Sequence, residues 1–479
     1  MHMTDQIQNK EQLLQSLPPE HPQTAHALIT QALKHLHQKI VVLDDDPTGT
    51  QTVHDIFVYT HWDPATLRQA FNDSHQMFYI LTNSRSLTPA ETKALHTTIA
   101  HNLVQVSQEC QQDFILVSRS DSTLRGHFPL ETKVLKETIE AQSNKKFDGE
   151  ILMPFFLEGG RYTINDIHYV LDGQQLIPAA QTEFAHDRQF GYHFSNMKDY
   201  VAEKTDGQFP ADQVQSISIA AERQYDLKPL VHQLQQLQNF NKLIVNAASY
   251  ADAQVAIAAI VEAMAQGKNY LFRTAAAFTK VIGNIADIPL LQRKDIADDQ
   301  VTTGGLVIVG SHVQKTTEQL KALLQLPNIT GIEFHTQLVL DPPQMDTEFQ
   351  RVLQATETAL KAGHNVVVYT SRKRLELPGN QKDEELKLST KISSYVTKIV
   401  QELEFKPSFI IAKGGITSSD IATQGLGIQK ALVGGQVAPG IPVWITGSET
   451  KFPNIAYVVF PGNVGGVQTL KDIVQQLSN

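Results

Sequence analysis

Ile40-Val41-Val42-Leu43-Asp44-Asp45-Asp46-Pro47-Thr48-Gly49-Thr50 is the stretch that decides how this chain is read. Four apolar residues without a polar interruption suit a strand covered on both faces, and the carboxylates, proline and glycine behind them read as a turn. Upstream, Ala25, Leu28, Ile29, Ala32, Leu33 and Leu36 recur at helical spacing and make one apolar face. The same strand-then-loop unit returns at Phe78 to Leu81, Phe114 to Val117, Ile151 to Met153 and Leu243 to Val245. It returns again at Leu306 to Val309, Val366 to Tyr369, Phe409 to Ala412, Val443 to Ile445 and Tyr457 to Phe460. Segments between the runs, such as Thr88 to Ser107 and Glu348 to Ala362, are long enough for crossover helices. The predicted fold class is therefore α/β: two α/β domains with mainly parallel sheets. The polar stretch Gln292 to Gly305, ending in Thr-Thr-Gly-Gly, separates an N-terminal domain over 1–295 from a C-terminal domain over 304–479.

Length and composition agree with a two-domain globular enzyme: 479 residues, 41% apolar and 19% charged. Forty Lys and Arg against fifty Asp and Glu leave a net charge of −10, which repels polyanions and argues against nucleic acid as a partner. The lone Cys110 cannot form an internal disulfide, and no Cys/His cluster has zinc spacing. The first thirty residues lack the apolar core of a signal peptide, and the Ala253 to Ala265 run is broken by Glu262 before it reaches membrane-spanning length. No membrane partner and a cytoplasmic location are expected; an oligomer is compatible with the sequence, and no metal ligands are identified.

In open α/β sheets ligands bind beyond the carboxyl ends of the strands, and this chain is rich in chemistry there. The first three runs lead into Asp44-Asp45-Asp46, Thr82-Asn83-Ser84-Arg85, and Ser118-Arg119-Ser120-Asp121-Ser122-Thr123-Leu124-Arg125-Gly126. Each cluster alone could be a solvated helix cap. Capping does not explain Arg85, Arg119 and Arg125, whose recurrence at strand ends suits a bidentate grip on a small carboxylate or phosphate. Three adjacent carboxylates also repel one another unless a metal, a cation or substrate hydroxyls relieve them.

Three later runs lead into glycine loops: Gly310-Ser311-His312, Lys413-Gly414-Gly415-Ile416-Thr417 and Pro461-Gly462-Asn463-Val464-Gly465. A single pair reads as a tight turn; three in one domain let backbone N–H groups approach a nucleotide polyphosphate. Neither a Walker loop nor a Gly-x-Gly-x-x-Gly fingerprint is present.

Taken together the clusters resemble the four-carbon acid sugar kinase family, over nearly the whole chain. The matching motifs are Asp45-Asp46-Pro47-Thr48-Gly49, Asn83-Ser84-Arg85-Ser86, Asp121-Ser122-Thr123-Leu124-Arg125-Gly126, Gly160-Arg161-Tyr162-Thr163, Gly310-Ser311, Gly414-Gly415-Ile416-Thr417-Ser418, Pro439-Gly440-Ile441-Pro442 and Gly462-Asn463-Val464-Gly465. Ile416 and Phe460-Pro461 depart from the family's usual acidic residue and Lys-Ser and make the nucleotide loop a variant, while the extended Asp44 to Val53 stretch and Phe272-Arg273-Thr274 look like a divergent branch. The resemblance implies an N-terminal acid-sugar domain, a C-terminal nucleotide domain, an active site in the cleft between them, and ATP contacts at Ser311, Gly414, Gly415, Ile416, Thr417 and Gly462.

The expected activity is ATP-dependent phosphorylation of the terminal hydroxyl of threonate, erythronate or a 3-oxo-tetronate, with Mg²⁺ on the phosphates. Arg85 and Arg125, with Arg119, are assigned to the substrate's carboxylate end, Ser122 and Asp46 to its hydroxyls, and Asp45 to the base, with Asp121 as rival. Two other readings remain. Asp44-x-Asp46-x-Thr48 also matches the signature of haloacid-dehalogenase-like phosphatases, with Asp44 as nucleophile, and a non-catalytic sugar-acid sensor would use the arginines without the carboxylate triplet.

Overall fold

The computed structural model describes residues 6–298, 300–372, 382–462 and 464–478, with 382–387 described by backbone alone. Each strand-length apolar run named above lies in a strand, and the Ala253 to Ala265 run lies in the helix Tyr250–Ala265. The expected first helix runs over Pro22–Ala32 and continues as the tighter turn Leu33–His35, with Ala25, Ile29, Ala32 and Leu36 buried. The chain divides into two compact units: Met1–Val53 with His61–Asp287, and His54–Thr60 with Ile288–Asn479. Against the 295–304 linker read from composition, two segments fall differently. Strand Ile56–Tyr59 pairs antiparallel with Lys430–Ala438, and the Leu291 N–H donates to the Gln436 carbonyl at 2.8 Å.

The first unit is built on a parallel sheet in the order Gln215–Ile217, Asn241–Val245, Gly149–Met153, Tyr270–Thr274, Phe114–Arg119, Lys39–Asp44 and Met77–Leu81. From Lys39–Asp44 the chain goes out to one neighbour, Met77–Leu81, and then crosses to the other, Phe114–Arg119. That reversal makes a topological switch point, where loops diverge and leave room for a ligand. The crossover helix Pro89–Cys110 starts with Thr88 and Glu91 capping each other's backbone and with proline at its first position. A four-stranded antiparallel sheet, Gln8–Asn9, Gln175–Pro178, Ile167–Asp172 and Arg161–Ile164, accompanies it. Its strands are short and carry polar residues, so they lack the apolar run that marks the others.

The second unit's sheet runs Ile56–Tyr59, Lys430–Ala438, Ile441–Thr446, Ala456–Phe460, Phe409–Lys413, Leu306–Val309, Asn365–Thr370 and Ile329–Phe334. The last five are parallel, and Ile441–Thr446 is antiparallel to both neighbours. The reason is the connection: Pro439-Gly440, with Gly440 at φ 74°, turns too tightly for a parallel crossover. Here too the chain reverses, with Leu306–Val309 between strands reached in opposite directions, so its glycine loops also sit at a switch point. No helix of the described residues is long and apolar enough to cross a membrane.

Candidate functional site

In the first unit, the strand ends at the switch point bury their charges in pairs. Asp44 is 1% exposed; Arg119 reaches its Oδ1 at 3.3 Å and donates a second bond to Gln51 at 3.2 Å. A Cβ at Gly49 would lie 1.8 Å from Asp44 Oδ2, so the turn closes over this carboxylate only because residue 49 is glycine. Burial pushes Asp44 up to about 8, against the pull of Arg119. A phosphatase nucleophile needs an uncommitted oxygen, and the Asp44 carboxylate is bonded to Arg119 and packed against Gly49; the geometry does not favour that alternative.

Asp46 caps the turn Pro47–Thr50 by accepting from the Thr48 N–H at 2.9 Å, and Arg85 pairs with its other oxygen. Burial opposes ionisation there, but Arg85 and Thr48 outweigh it and hold Asp46 below the usual carboxylate range. Arg85 also stands 3.5 Å from Asp121, which Arg125 Nε bonds at 2.7 Å and Thr123 bonds through its hydroxyl. Against burial, Arg125 and Arg85 hold Asp121 well below the usual range. The Leu124 backbone, at φ 68°, is held in this costly conformation by Tyr200 Oη donating to its carbonyl at 3.0 Å, while Tyr192 Oη holds Thr123 at 2.8 Å.

Asp45 differs from its neighbours. It is 2% exposed, accepts from Ser120 Oγ at 2.9 Å through Oδ2, and has a buried Oδ1 with no hydrogen-bond partner. Burial raises its proton affinity, in opposition to Arg85, Arg273 and Arg119. Of the two candidate bases, Asp121 has its oxygens committed to arginines and a hydroxyl, and Asp45 has one uncommitted.

Beneath these loops Glu131, on helix Leu130–Gln142, ties three strand ends together. It accepts from Ser84 Oγ at 2.6 Å and from Ser118 Oγ at 3.5 Å, and pairs with Arg273, which also donates to Ser118 Oγ at 2.9 Å. Despite complete burial, Arg273, His96 and Ser84 keep it ionised. His168 joins the antiparallel sheet to the same loops: its Nε2 meets the Ser122 carbonyl at 2.7 Å and its Nδ1 meets Thr163 Oγ1 at 3.0 Å. Burial pushes His168 down to about 4, so it is neutral near pH 7, with Nε2 carrying the proton that the carbonyl accepts.

In the second unit three loops meet at Ser311. A Cβ at Gly310 would lie 2.2 Å from Thr417 Oγ1, one at Gly414 (φ 117°) 3.1 Å from Ser311 Cβ, and one at Gly462 3.5 Å from Ser311 Oγ. Gly310 and Gly414 thus have little or no room for a side chain where the loops converge, whereas Gly462 would make only ordinary contact. Thr316 Oγ1 bonds both Ser311 Oγ and the Gly462 carbonyl at 3.2 Å, and buried Lys413 donates to the carbonyls of Pro461 at 2.5 Å and Gly462 at 3.2 Å. Burial, and secondarily Lys315, push Lys413 down to about 7. Gly415 opens the short helix Gly415–Asp420, and Ile416 is 60% exposed on it.

The expected residues Asp45, Asp46, Arg85, Arg119, Asp121 and Arg125 are therefore linked in one network, with the Ser122 backbone held by His168. Ser311, Gly414, Thr417 and Gly462 come together in the other unit. Asn463 lies outside the described residues. Sequence reasoning missed Gln51, Glu131, His168, Arg273, Lys413 and Arg372 as parts of these networks; Arg372 donates to the Ser311 carbonyl at 2.6 Å. Only Lys413 and Arg273, each at a strand end, carried a positional signal.

The chain matches the model of a sugar-binding N-terminal domain over residues 40–282 and that of a nucleotide-binding C-terminal domain over 306–470. It belongs to the family that joins these two domains, the four-carbon acid sugar kinase (DUF1537) family. Two solved structures share the fold. A Salmonella typhimurium LT2 protein that carries a tRNA synthase name is 15% identical, with TM-score 0.65, covering 91% of this chain and 99% of its own. Haemophilus influenzae protein HI1011, of family DUF1537, is 16% identical, with TM-score 0.57, covering 92% of this chain and 100% of its own. No curated protein matches the sequence.

Two predictions follow from these networks. Glu131→Gln keeps the volume but leaves Arg273 without its counter-charge, and should lower the unfolding free energy of the first unit by about 3–5 kcal/mol in denaturant titrations. A change below about 1 kcal/mol would show that the pair adds nothing net. Phosphates approaching the Pro461–Gly462 turn would favour charged Lys413, so ADP binding at pH 8 should take up a proton, and affinity should fall as pH rises above 7. Calorimetry in buffers of different ionisation enthalpy measures the uptake; Lys413→Met should abolish it.

Proposed function

We propose that the protein is an ATP-dependent kinase that phosphorylates the terminal hydroxyl of a four-carbon sugar acid of the threonate, erythronate or 3-oxo-tetronate type, drawing on cytoplasmic ATP. The observation that carries this reading is Asp45: a buried carboxylate with raised proton affinity and one unpartnered oxygen, at a switch point surrounded by arginines. A general base works best when its proton affinity is raised toward the operating pH and one oxygen is free to accept. The family's sugar-binding and nucleotide-binding domains supply the two reactants.

In this mechanism Asp45 Oδ1 accepts the proton of the acceptor O–H as that oxygen attacks the γ-phosphorus. The bond from phosphorus to the β-phosphate oxygen breaks, and ADP leaves with that electron pair. Ser120 holds the other carboxylate oxygen in place, and Arg85 and Arg119 neutralise charge nearby. Asp46 and Ser122 orient the acceptor's hydroxyls. On the second unit, backbone at Gly414, Gly415, Ile416, Thr417 and Gly462, with Ser311, holds the polyphosphate. Among the described residues no group of three His, Cys, Asp or Glu could hold a metal, so Mg²⁺ is taken to arrive with the nucleotide, where it supplies charge neutralisation. Transfer requires the nucleotide of the second unit to reach the acceptor on the first, and that meeting is part of the proposal.

Two experiments test it. Purified protein with MgATP should release ADP only when one of these acids is present; ATP turnover indifferent to all of them would refute the kinase reading. Asp45→Asn should lower kcat by ~10²- to 10⁴-fold with the acid still bound, since that is what proton transfer by a positioned base contributes. Full activity in Asp45→Asn together with loss in Asp121→Asn would exchange the two roles.

A further inference from the structure

Five arginines stand at the loops of the first unit, and four of them are matched to carboxylates. Arg85 pairs with Asp46, Arg119 with Asp44, Arg125 with Asp121 and Arg273 with Glu131. Arg161 is the exception: among the described residues no carboxylate lies within ion-pair distance of it, and its buried Nε has no hydrogen-bond partner. The guanidinium donates from Nη1 to the Gly159 carbonyl. A part-buried guanidinium with no carboxylate in contact is costly: burial lowers its proton affinity, and Asp121, beyond ion-pair distance, offsets that only in part.

We propose that Arg161 is the residue that receives the substrate's carboxylate, an inference that rests on the acid-kinase reading above. Its position is built rather than incidental. The Arg161 backbone is bonded in both directions to Phe156, N–H to carbonyl at 2.8 Å and carbonyl to N–H at 3.1 Å. Gly160 makes the turn before it at φ 72°, and a Cβ at Gly159 would lie 2.3 Å from the Phe156 ring and 3.2 Å from Arg161 Nη1. Strand Arg161–Ile164 is in turn tied to the Ser122 backbone through Thr163 and His168. Arg161 and Arg125 lie over the same Phe184 ring, 5.9 and 5.0 Å from its centre, so the uncommitted cation stands beside the Asp121–Arg125 pair. An anion placed there meets one guanidinium already neutralised and one that needs a counter-charge. The specificity that follows is for the acid over its uncharged alcohol or amide.

The test compares threonate and erythronate with the matching tetritols and tetronamides. Calorimetry without nucleotide reads binding, and ADP release reads turnover. Wild-type protein should favour the acid over its amide. A charge-assisted hydrogen bond corresponds to ~10- to 100-fold in affinity, so Arg161→Gln should weaken acid binding by about that factor and collapse the acid-to-amide ratio, with the KM for ATP unchanged. Arg161→Lys keeps the charge without the planar fork and should fall between the two, which keeps the proposal testable where the Gln variant does not fold. If wild type uses an acid and the variants keep its preference over the amide, Arg161 is not the anchor and the kinase reading stands. Equal weakening of acid and amide would mark Arg161 as structural. If wild type neither binds nor turns over any of the acids, both readings fall together.

Discussion

Burying carboxylates at the ends of parallel strands is the constraint around which the first unit is arranged. Each such group loses several kcal/mol of hydration, of the order that only a close counter-charge and full hydrogen bonding can offset. The strand ends answer with arginines from other strands: Arg119 for Asp44, Arg85 for Asp46, Arg273 for Glu131. Every pair joins segments distant in sequence, so neutralising the charges also sets how the loops lie against one another. Glu131 is the clearest case, since one side chain fixes Ser84, Ser118 and Arg273 at once.

The same charge matching makes the few unmatched groups informative. Asp45 keeps an oxygen without a partner and Arg161 keeps a guanidinium without a carboxylate, within a network where their neighbours are paired. On the proposed reading they are the proton acceptor and the anion receptor that a hydroxy-acid kinase needs. The second unit faces a different problem, since its ligand brings the charge. There the requirement is close approach of backbone, met by Gly310 and Gly414 beside Ser311, with Lys413 bracing the Pro461-Gly462 loop from inside.

Much of this was legible from local pattern. Uninterrupted apolar runs marked the buried parallel strands because a strand covered on both faces has no polar side to show. The clusters at their ends marked the site because ligands collect at the carboxyl ends of such sheets. The antiparallel sheet over Arg161–Pro178 was not legible: its strands are short and polar, and strand Lys430–Ala438 alternates buried and half-buried positions around Gly434-Gly435 instead of forming a run.

The sequence by itself thus determined the fold class, the family and the two sets of loops, since each depends on residues adjacent or a few positions apart. The tertiary structure alone decided which charges are already matched. Arg85 and Arg125 look like carboxylate clamps in one dimension, yet Asp46 and Asp121 hold them. Asp44, Asp45 and Asp46 look alike in a row, yet one is packed against Gly49, one is held by Arg85 and one has an oxygen to spare. Pairing is a property of distance in space, and in a sheet that sets Gln215 beside Leu243 and Phe272 beside Val117 no local pattern records it.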